Sequence, residues 1–136
     1  MLNSQTGKKV LVVEDEEHNW LLIKEFLELY AIDSIWVESG FEALEILNSH
    51  KDIDMILLDM KLPLMTGYEI APKIKSLYPE ICIIAQTAHA QPEDEERCYT
   101  CGCDGYIAKT FTLNELSDVI EKTLKRKFCV NDSLSA

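Results

Sequence analysis

The sequence has few basic residues and no long hydrophobic run. Thirteen Lys and Arg stand against 24 Asp and Glu, which gives a formal net charge of −11. Because nucleic-acid binding depends on clustered basic side chains, we expect no direct contact with DNA or RNA. The apolar runs, such as residues 10–13, are far shorter than the roughly 20 residues that span a bilayer. With no basic-then-apolar export signal at the N-terminus, we expect a cytoplasmic domain without membrane contact.

A cysteine framework for zinc is also missing. The five cysteines include a cluster at Cys98, Cys101 and Cys103, but no second pair or neighbouring histidine completes the four ligands of a structural zinc site. We therefore expect these cysteines to be small buried residues that stay reduced.

The length and composition fit one globular domain. The chain has 136 residues, of which 47% are hydrophobic, and this is enough for a single core. No repeat or low-complexity segment divides it. We predict one domain over residues 8–125, with the polar ends, 1–7 and 126–136, as linker remnants or frayed termini.

Short aliphatic runs alternate with longer stretches of helical period. This alternation is typical of βα units around a parallel sheet. It predicts an α/β fold, a five-stranded parallel sheet with five helices of about ten to sixteen residues. The expected strands cover residues 9–13, 34–37, 55–58, 81–85 and 105–108.

The helix starts carry clear signals. Ser39, Thr66 and Thr112 each have a glutamate three positions later, which is the spacing of a capping box. Pro92, followed by two acids, marks a fourth start, whereas Pro72 lies inside the third helix and should kink or weaken it. The helical period predicts buried faces at Ile23, Phe26, Leu27 and Tyr30 in the first helix, and at Leu113, Leu116, Ile120 and Leu124 in the last.

Charged and polar residues stand where four of the expected strands end. Glu14 and Asp15 follow the first strand, Asp59 follows the third, Thr87 lies just after the fourth, and Lys109 follows the fifth. An open parallel sheet binds ligands at this carboxyl edge. Three carboxylates placed together repel one another unless a cation lies between them. Mg²⁺, which prefers oxygen ligands, is the cation we expect.

This set of residues suits phosphoryl transfer. A carboxylate such as Asp59 can act as a nucleophile and form an acyl phosphate. The transferred group then needs its oxygens neutralised. Mg²⁺ held by Glu14, Asp15 and Asp59 would cover one oxygen, the Lys109 ammonium a second and the Thr87 hydroxyl a third.

Four sequence motifs in register resemble the response-regulator receiver domain of two-component signalling. They are VLVVEDEE, MILLDMKLPLMTGYE, IIAQTAHA and GCDGYIAKTF, and the resemblance covers nearly the whole chain, from about Lys8 to Lys125. It implies a doubly wound, flavodoxin-like sheet with strand order 2-1-3-4-5. The run VEDEEHNWLLIKEFLE, together with QTAHA and GCDGYIAK, is most similar to receivers fused to the end of hybrid histidine kinases. This would place the domain in the cytoplasm, either free or as the cytoplasmic end of a membrane-bound sensor kinase.

The resemblance also implies roles for individual residues. Asp59 matches the phospho-acceptor, Glu14 and Asp15 match the acidic pair that holds Mg²⁺, and the backbone carbonyl of Lys61 matches the remaining protein ligand. Thr87 matches the hydroxyl that moves to bind the phosphoryl group.

Three further positions carry implied roles. Lys109 matches the lysine that pairs with the phosphoryl group, and Tyr106 matches the aromatic residue that rotates on phosphorylation, the alternative being a partly buried core residue. Lys61 and His89 match positions that influence phosphoryl lifetime, although Lys61 could equally be a solvated lysine. Thr110 replaces the proline that usually follows the lysine, so the peptide bond there is either trans or a strained cis bond.

The implied partners are proteins. A histidine kinase or its phosphotransfer domain would donate the phosphoryl group, and other proteins would bind the face formed by the fourth helix, fifth strand and fifth helix. Two other functions stay open. One is a receiver-like docking module that works without phosphorylation. The other is a small phosphatase of the haloacid-dehalogenase type, which usually has a second acid where this chain has Lys61.

Overall fold

Five strands alternate with five helices along the chain. The computed structural model describes residues 8–88 and 91–135, with side chains up to Leu124. The strands are β1 (Lys9–Val13), β2 (Asp33–Val37), β3 (Met55–Asp59), β4 (Cys82–Thr87) and β5 (Gly105–Ala108). The helices are α1 (Glu17–Leu29), α2 (Gly40–Ser49), α3 (Gly67–Leu77), α4 (Pro92–Thr100) and α5 (Leu113–Ser135).

The strands form one parallel sheet in the order β2-β1-β3-β4-β5. All five residues of β3 are buried, because a parallel sheet is covered by helices on both faces. The doubly wound α/β fold with this strand order is therefore confirmed. Among the described residues, no helix is both long enough and apolar enough to cross a membrane.

Successive residues of a strand point to opposite faces of the sheet, so they pack into two separate hydrophobic cores. Leu11 and Val13 pack with α2, α3 and α4 on one face, whereas Val10 and Val12 pack with α1 and α5 on the other. The predicted buried face of α1 is largely confirmed. Ile23, Phe26 and Leu27 are fully buried, and Tyr30 is partly buried and packs against them.

The helix starts follow the capping signals. The hydroxyl oxygens of Ser39, Thr66 and Thr112 each accept a hydrogen bond from the backbone N–H of the glutamate three residues later. Thr66 and Glu69 complete a reciprocal capping box. Pro92 lies in the first turn of α4, where its missing N–H costs no hydrogen bond.

Helix α3 contains Pro72 in its interior, as predicted, and the expected kink or weakening stays a prediction. Two other details differ from the sequence expectations. Helix α5 continues to Ser135 instead of ending near residue 125, because residues 113–135 contain no Gly or Pro that would stop it. Leu113 is 45% exposed, since it is the first residue of α5, whereas Thr123 is buried. The limits of the domain, 8–125, stay a prediction.

Candidate functional site

The polar residues predicted at the carboxyl edge lie together there. Asp59 is the last residue of β3 and pairs in register with Gln86 of β4. Thr87, the last residue of β4, pairs with Ala108 of β5, and the Lys109 N–H donates to the Thr87 carbonyl over 2.7 Å. The sheet register therefore sets the order of functional groups along this edge.

Three carboxylates converge at this edge. Each of Glu14, Asp15 and Asp59 offers an oxygen, and these oxygens lie within 4.8 Å of one another. Glu14 and Asp59 are buried, with 0% and 3% of their surface exposed, whereas Asp15 is exposed. Buried negative charges at this separation are costly without a positive partner.

Lys109 supplies positive charge to two of the three carboxylates. Its Nζ lies 3.0 Å from Asp59 Oδ2 and 3.2 Å from Glu14 Oε1. Burial alone would lower the pKa of Lys109, but the hydrogen bond and charge of Asp59, together with Glu14, outweigh it and raise the pKa above its ordinary value. Lys109 therefore stays charged, and the group of four side chains still carries excess negative charge.

The surroundings of Glu14 disfavour its charged form. Burial raises its pKa to about 7; the Asn19 hydrogen bond acts in the opposite direction, and the charge of Asp59 adds to the rise. A buried carboxylate beside another carboxylate favours the proton unless a cation replaces it. The surroundings of Glu14 therefore favour binding of a positively charged ion or a proton at its carboxylate.

A polar network that sequence reasoning missed holds Glu14 in place. Asn19 Nδ2 donates to Glu14 Oε1 and lies 3.4 Å from Gln86 Oε1, and Trp36 Nε1 donates to the Glu14 carbonyl over 2.7 Å. Gln86 is fully buried, and its Nε2 has no hydrogen-bond partner among the described residues. A signal was available: Gln86 interrupts an apolar strand, and Asn19 lies in the first turn of α1, next to this edge.

The loop after β3 fixes the carboxylate of Asp59. The Lys61 N–H donates to Asp59 Oδ1 over 2.9 Å, and the Gly67 N–H donates to the Met60 carbonyl over 3.1 Å. A Cβ at Gly67 would lie 2.7 Å from Met60 Cα and 2.8 Å from the Asp59 carbonyl oxygen. Only glycine lets the start of α3 approach the end of β3 this closely.

The other predicted residues take different places. The side chain of Lys61 is exposed, and Tyr106 is partly buried against the core on the α4 side of the sheet. The peptide bond between Lys109 and Thr110 is cis, one of the two states left open by the sequence. His89, predicted to influence phosphoryl lifetime, lies outside the described residues.

The donor set fits a hard divalent cation. Three carboxylates can supply oxygen ligands at one point, which suits Mg²⁺. Within the described ranges, no other group of three or more His, Cys, Asp or Glu side chains converges in this way.

The clustered cysteines lie elsewhere. As expected, Cys98 and Cys103 are buried, whereas Cys101 is partly exposed.

Comparisons with known proteins agree with this geometry. A family model described as the response regulator receiver domain matches residues 10–121. The polar-differentiation response regulator DivK of Brucella ovis is 35% identical over 119 residues, which is 86% of this chain and 96% of that protein.

Solved structures share the fold. A response regulator receiver domain protein from Clostridium thermocellum has a TM-score of 0.81 and 29% identity, covering 90% of this chain and 98% of its own. A chain of the Saccharomyces cerevisiae co-crystal of the phosphotransfer protein Ypd1 with the Ssk1 receiver domain has a TM-score of 0.79 and 26% identity, covering 88% and 91%.

Proposed function

Since this chain belongs to the response regulator receiver domain family, we propose that it accepts a phosphoryl group on Asp59 from a phosphohistidine and changes its binding surface in response. The observation that carries this proposal is the position of Asp59. Its two oxygens are held by the Lys61 N–H and the Lys109 ammonium, beside two further carboxylates. Such a carboxylate is oriented, buried and close to the charges that phosphoryl transfer needs.

In the proposed reaction, an Asp59 oxygen attacks the phosphorus while the phosphorus–nitrogen bond of the donor histidine breaks. Lys109, which now neutralises Asp59, moves its charge to an oxygen of the bound phosphoryl group. Thr87, at the end of the neighbouring strand, donates its hydroxyl to another oxygen. Glu14, Asp15, Asp59 and the Lys61 carbonyl would hold Mg²⁺, which when bound neutralises charge on the transferred group.

Phosphorylation adds negative charge at the edge where β4 and β5 end. Thr87 and Tyr106 would respond, because they lie on these two strands. The surface built by α4, β5 and α5 is the proposed site of partner binding. A receiver of this kind changes state once per phosphoryl group and is not a turnover enzyme.

The proposed donor is a protein histidine. The similar yeast receiver was solved together with a phosphotransfer protein, which supports a phosphotransfer domain or histidine kinase as partner. The resemblance to receivers of hybrid histidine kinases supports a donor in the same parent chain or a partner subunit, with this domain in the cytoplasm.

Intact-mass measurement after incubation with acetyl phosphate tests the proposal. We expect one phosphoryl adduct on the wild-type protein in the presence of Mg²⁺, and none with a chelator or in Asp59→Asn. Asp33→Asn is the matched control, because Asp33 is exposed and begins β2 at the opposite end of the sheet. It should be phosphorylated like the wild type.

Two other outcomes would point to the other functions. A docking module would be indicated if no protein forms an adduct and if Asp59→Asn binds partners as tightly as the wild type does. Continuous release of phosphate from a phosphate ester would indicate a phosphatase. Either result would overturn the proposed switch.

A further inference from the structure

We propose that Cys101 and Cys103 are a peroxide-sensitive dithiol that closes to an intramolecular disulfide in the turn between α4 and β5. Their Sγ atoms lie 4.0 Å apart, with one thiol able to donate a hydrogen bond to the other. The pair lies outside the carboxylate site, and the phosphorylation mechanism uses neither residue.

The turn already brings the two thiols together. The Cys103 N–H donates to the Cys98 carbonyl over 3.0 Å, and the Gly102 N–H donates to the Tyr99 carbonyl over 3.1 Å. Gly102 has a φ of 113°, which glycine adopts without strain. This left-handed residue turns the chain sharply at the end of α4, so both side chains face the same side.

The two thiols differ in ways that assign their roles. Cys101 is partly exposed, whereas Cys103 is only 5% exposed and packs in the core. The hydrogen bond from Cys103 lowers the pKa of Cys101 to about 7. The same hydrogen bond, together with burial, raises the pKa of Cys103. Because the thiolate is the nucleophile, Cys101 is the attacking residue and Cys103 the resolving one.

Nearby Cys98 does not compete for this role. Its side chain is fully buried, and burial raises its pKa to about 11. Its Sγ lies 3.9 Å from the Tyr68 hydroxyl, in the region where Arg97 stacks over the Tyr68 ring. A buried, protonated thiol is poorly reactive.

The reaction balances with hydrogen peroxide as the oxidant. The Cys101 thiolate attacks one peroxide oxygen, the oxygen–oxygen bond breaks, and the leaving hydroxide takes a proton to become water. This step leaves a sulfenic acid on Cys101. The Cys103 sulfur then attacks the Cys101 sulfur, the sulfur–oxygen bond breaks, and the Cys103 proton leaves with the hydroxide as a second water. Two thiols lose two electrons, and one peroxide becomes two waters.

The test is peroxide treatment of the intact chain, followed by alkylation of free thiols and peptide mapping. On the wild type, we expect Cys101 and Cys103 to escape alkylation together, with loss of two hydrogen atoms and full reversal by dithiothreitol. Cys82→Ser is the matched control, because Cys82 is a buried cysteine at the start of β4, and it should behave like the wild type.

Two variants separate the steps. Cys103→Ser should stop at the sulfenic acid, which dimedone traps on Cys101. Cys101→Ser should form neither product and should consume peroxide at least about tenfold more slowly. Wild-type protein in which both residues stay alkylated after peroxide would overturn the proposal, and so would a Cys101→Ser variant that reacts at the wild-type rate. If a variant fails to fold, the peptide map of the wild-type protein still tests the proposal, because it shows directly whether the two cysteines form a disulfide.

Discussion

The two ends of the same sheet use the same kinds of residue in opposite ways. At the amino end, Asp54 accepts from the Lys9 N–H over 2.9 Å. Asp104 accepts from the Ile83 N–H over 2.9 Å and pairs with Lys75 Nζ at 2.6 Å. Each of these carboxylates has a donor of its own, so they stabilise the fold and leave little attraction for a further cation.

At the carboxyl end, three carboxylates share one ammonium. Glu14 and Asp59 both contact Lys109, and Asp15 completes the group. Burial and mutual repulsion make this arrangement less favourable for folding than the paired one. The comparison shows how a candidate functional site can be identified: its carboxylates outnumber their positively charged partners, whereas structural carboxylates each have a donor. Four experiments sharpen this contrast, in order of decreasing effect.

Replacing the lysine at each end should separate chemistry from stability. Lys109→Met should slow phosphorylation by acetyl phosphate about a hundredfold, because it removes a positive charge from the reacting oxygens. Lys75→Met removes the ammonium that pairs with Asp104 and donates to the Ile81 carbonyl. It should leave the phosphorylation rate unchanged and destabilise the fold by about 1 kcal/mol. The phosphorylation rates are measured by intact mass. Equal rates in the two variants would contradict the assignment of Lys109.

Removing the amide that orients Glu14 should weaken metal binding. Asn19→Ala should lower Mg²⁺ affinity about tenfold, the usual effect of losing a residue that positions a metal ligand. Trp36 offers a fluorescence signal, because its indole donates to the Glu14 carbonyl and its ring stacks on Trp20. Asn48→Ala, on the exposed side of α2, is the control and should bind like the wild type. An Asn19→Ala titration that overlays the control would exclude a positioning role.

Neutralising one acid at each end should change stability in opposite directions. The pKa of Glu14 is about 7 in the folded protein and 4.5 ordinarily, so the folded state binds the proton more tightly. Without metal, stability should therefore fall as pH rises from about 4.5 through 7. At pH 8, Glu14→Gln should stabilise the metal-free protein by about 1 kcal/mol, whereas Asp104→Asn should destabilise it by a similar amount. Urea unfolding in a chelator measures both, and destabilisation by Glu14→Gln would refute the excess-charge argument.

The smallest effect is expected at Lys61. Its side chain is exposed beside Asp59, where a charge can influence the water that attacks the acyl phosphate. Lys61→Ala should change the phosphoryl half-life by about two- to fivefold, as is usual for an exposed charge. Lys51→Ala, near the far end of the sheet, serves as the control. An unchanged decay of the adduct in Lys61→Ala would show that this lysine is simply solvated.

Local chemistry made much of the fold predictable. The capping residues Ser39, Thr66 and Thr112 mark helix starts through contacts three residues apart, and aliphatic runs mark strands. The edge position of Asp59 and Lys109 followed from strand ends alone. The residues that were missed depend on contacts distant in sequence: Asn19 and Gln86 are 67 positions apart.

The most direct test of the central claim is to locate the acyl phosphate. Borohydride reduces an aspartyl phosphate to homoserine, so peptide mapping after phosphorylation in Mg²⁺ identifies the modified residue. We predict homoserine at position 59 and an unmodified aspartate at position 15. A reduced residue at any other position, or none at 59 in a protein that carries the adduct, would contradict the assignment of Asp59 as the phospho-acceptor.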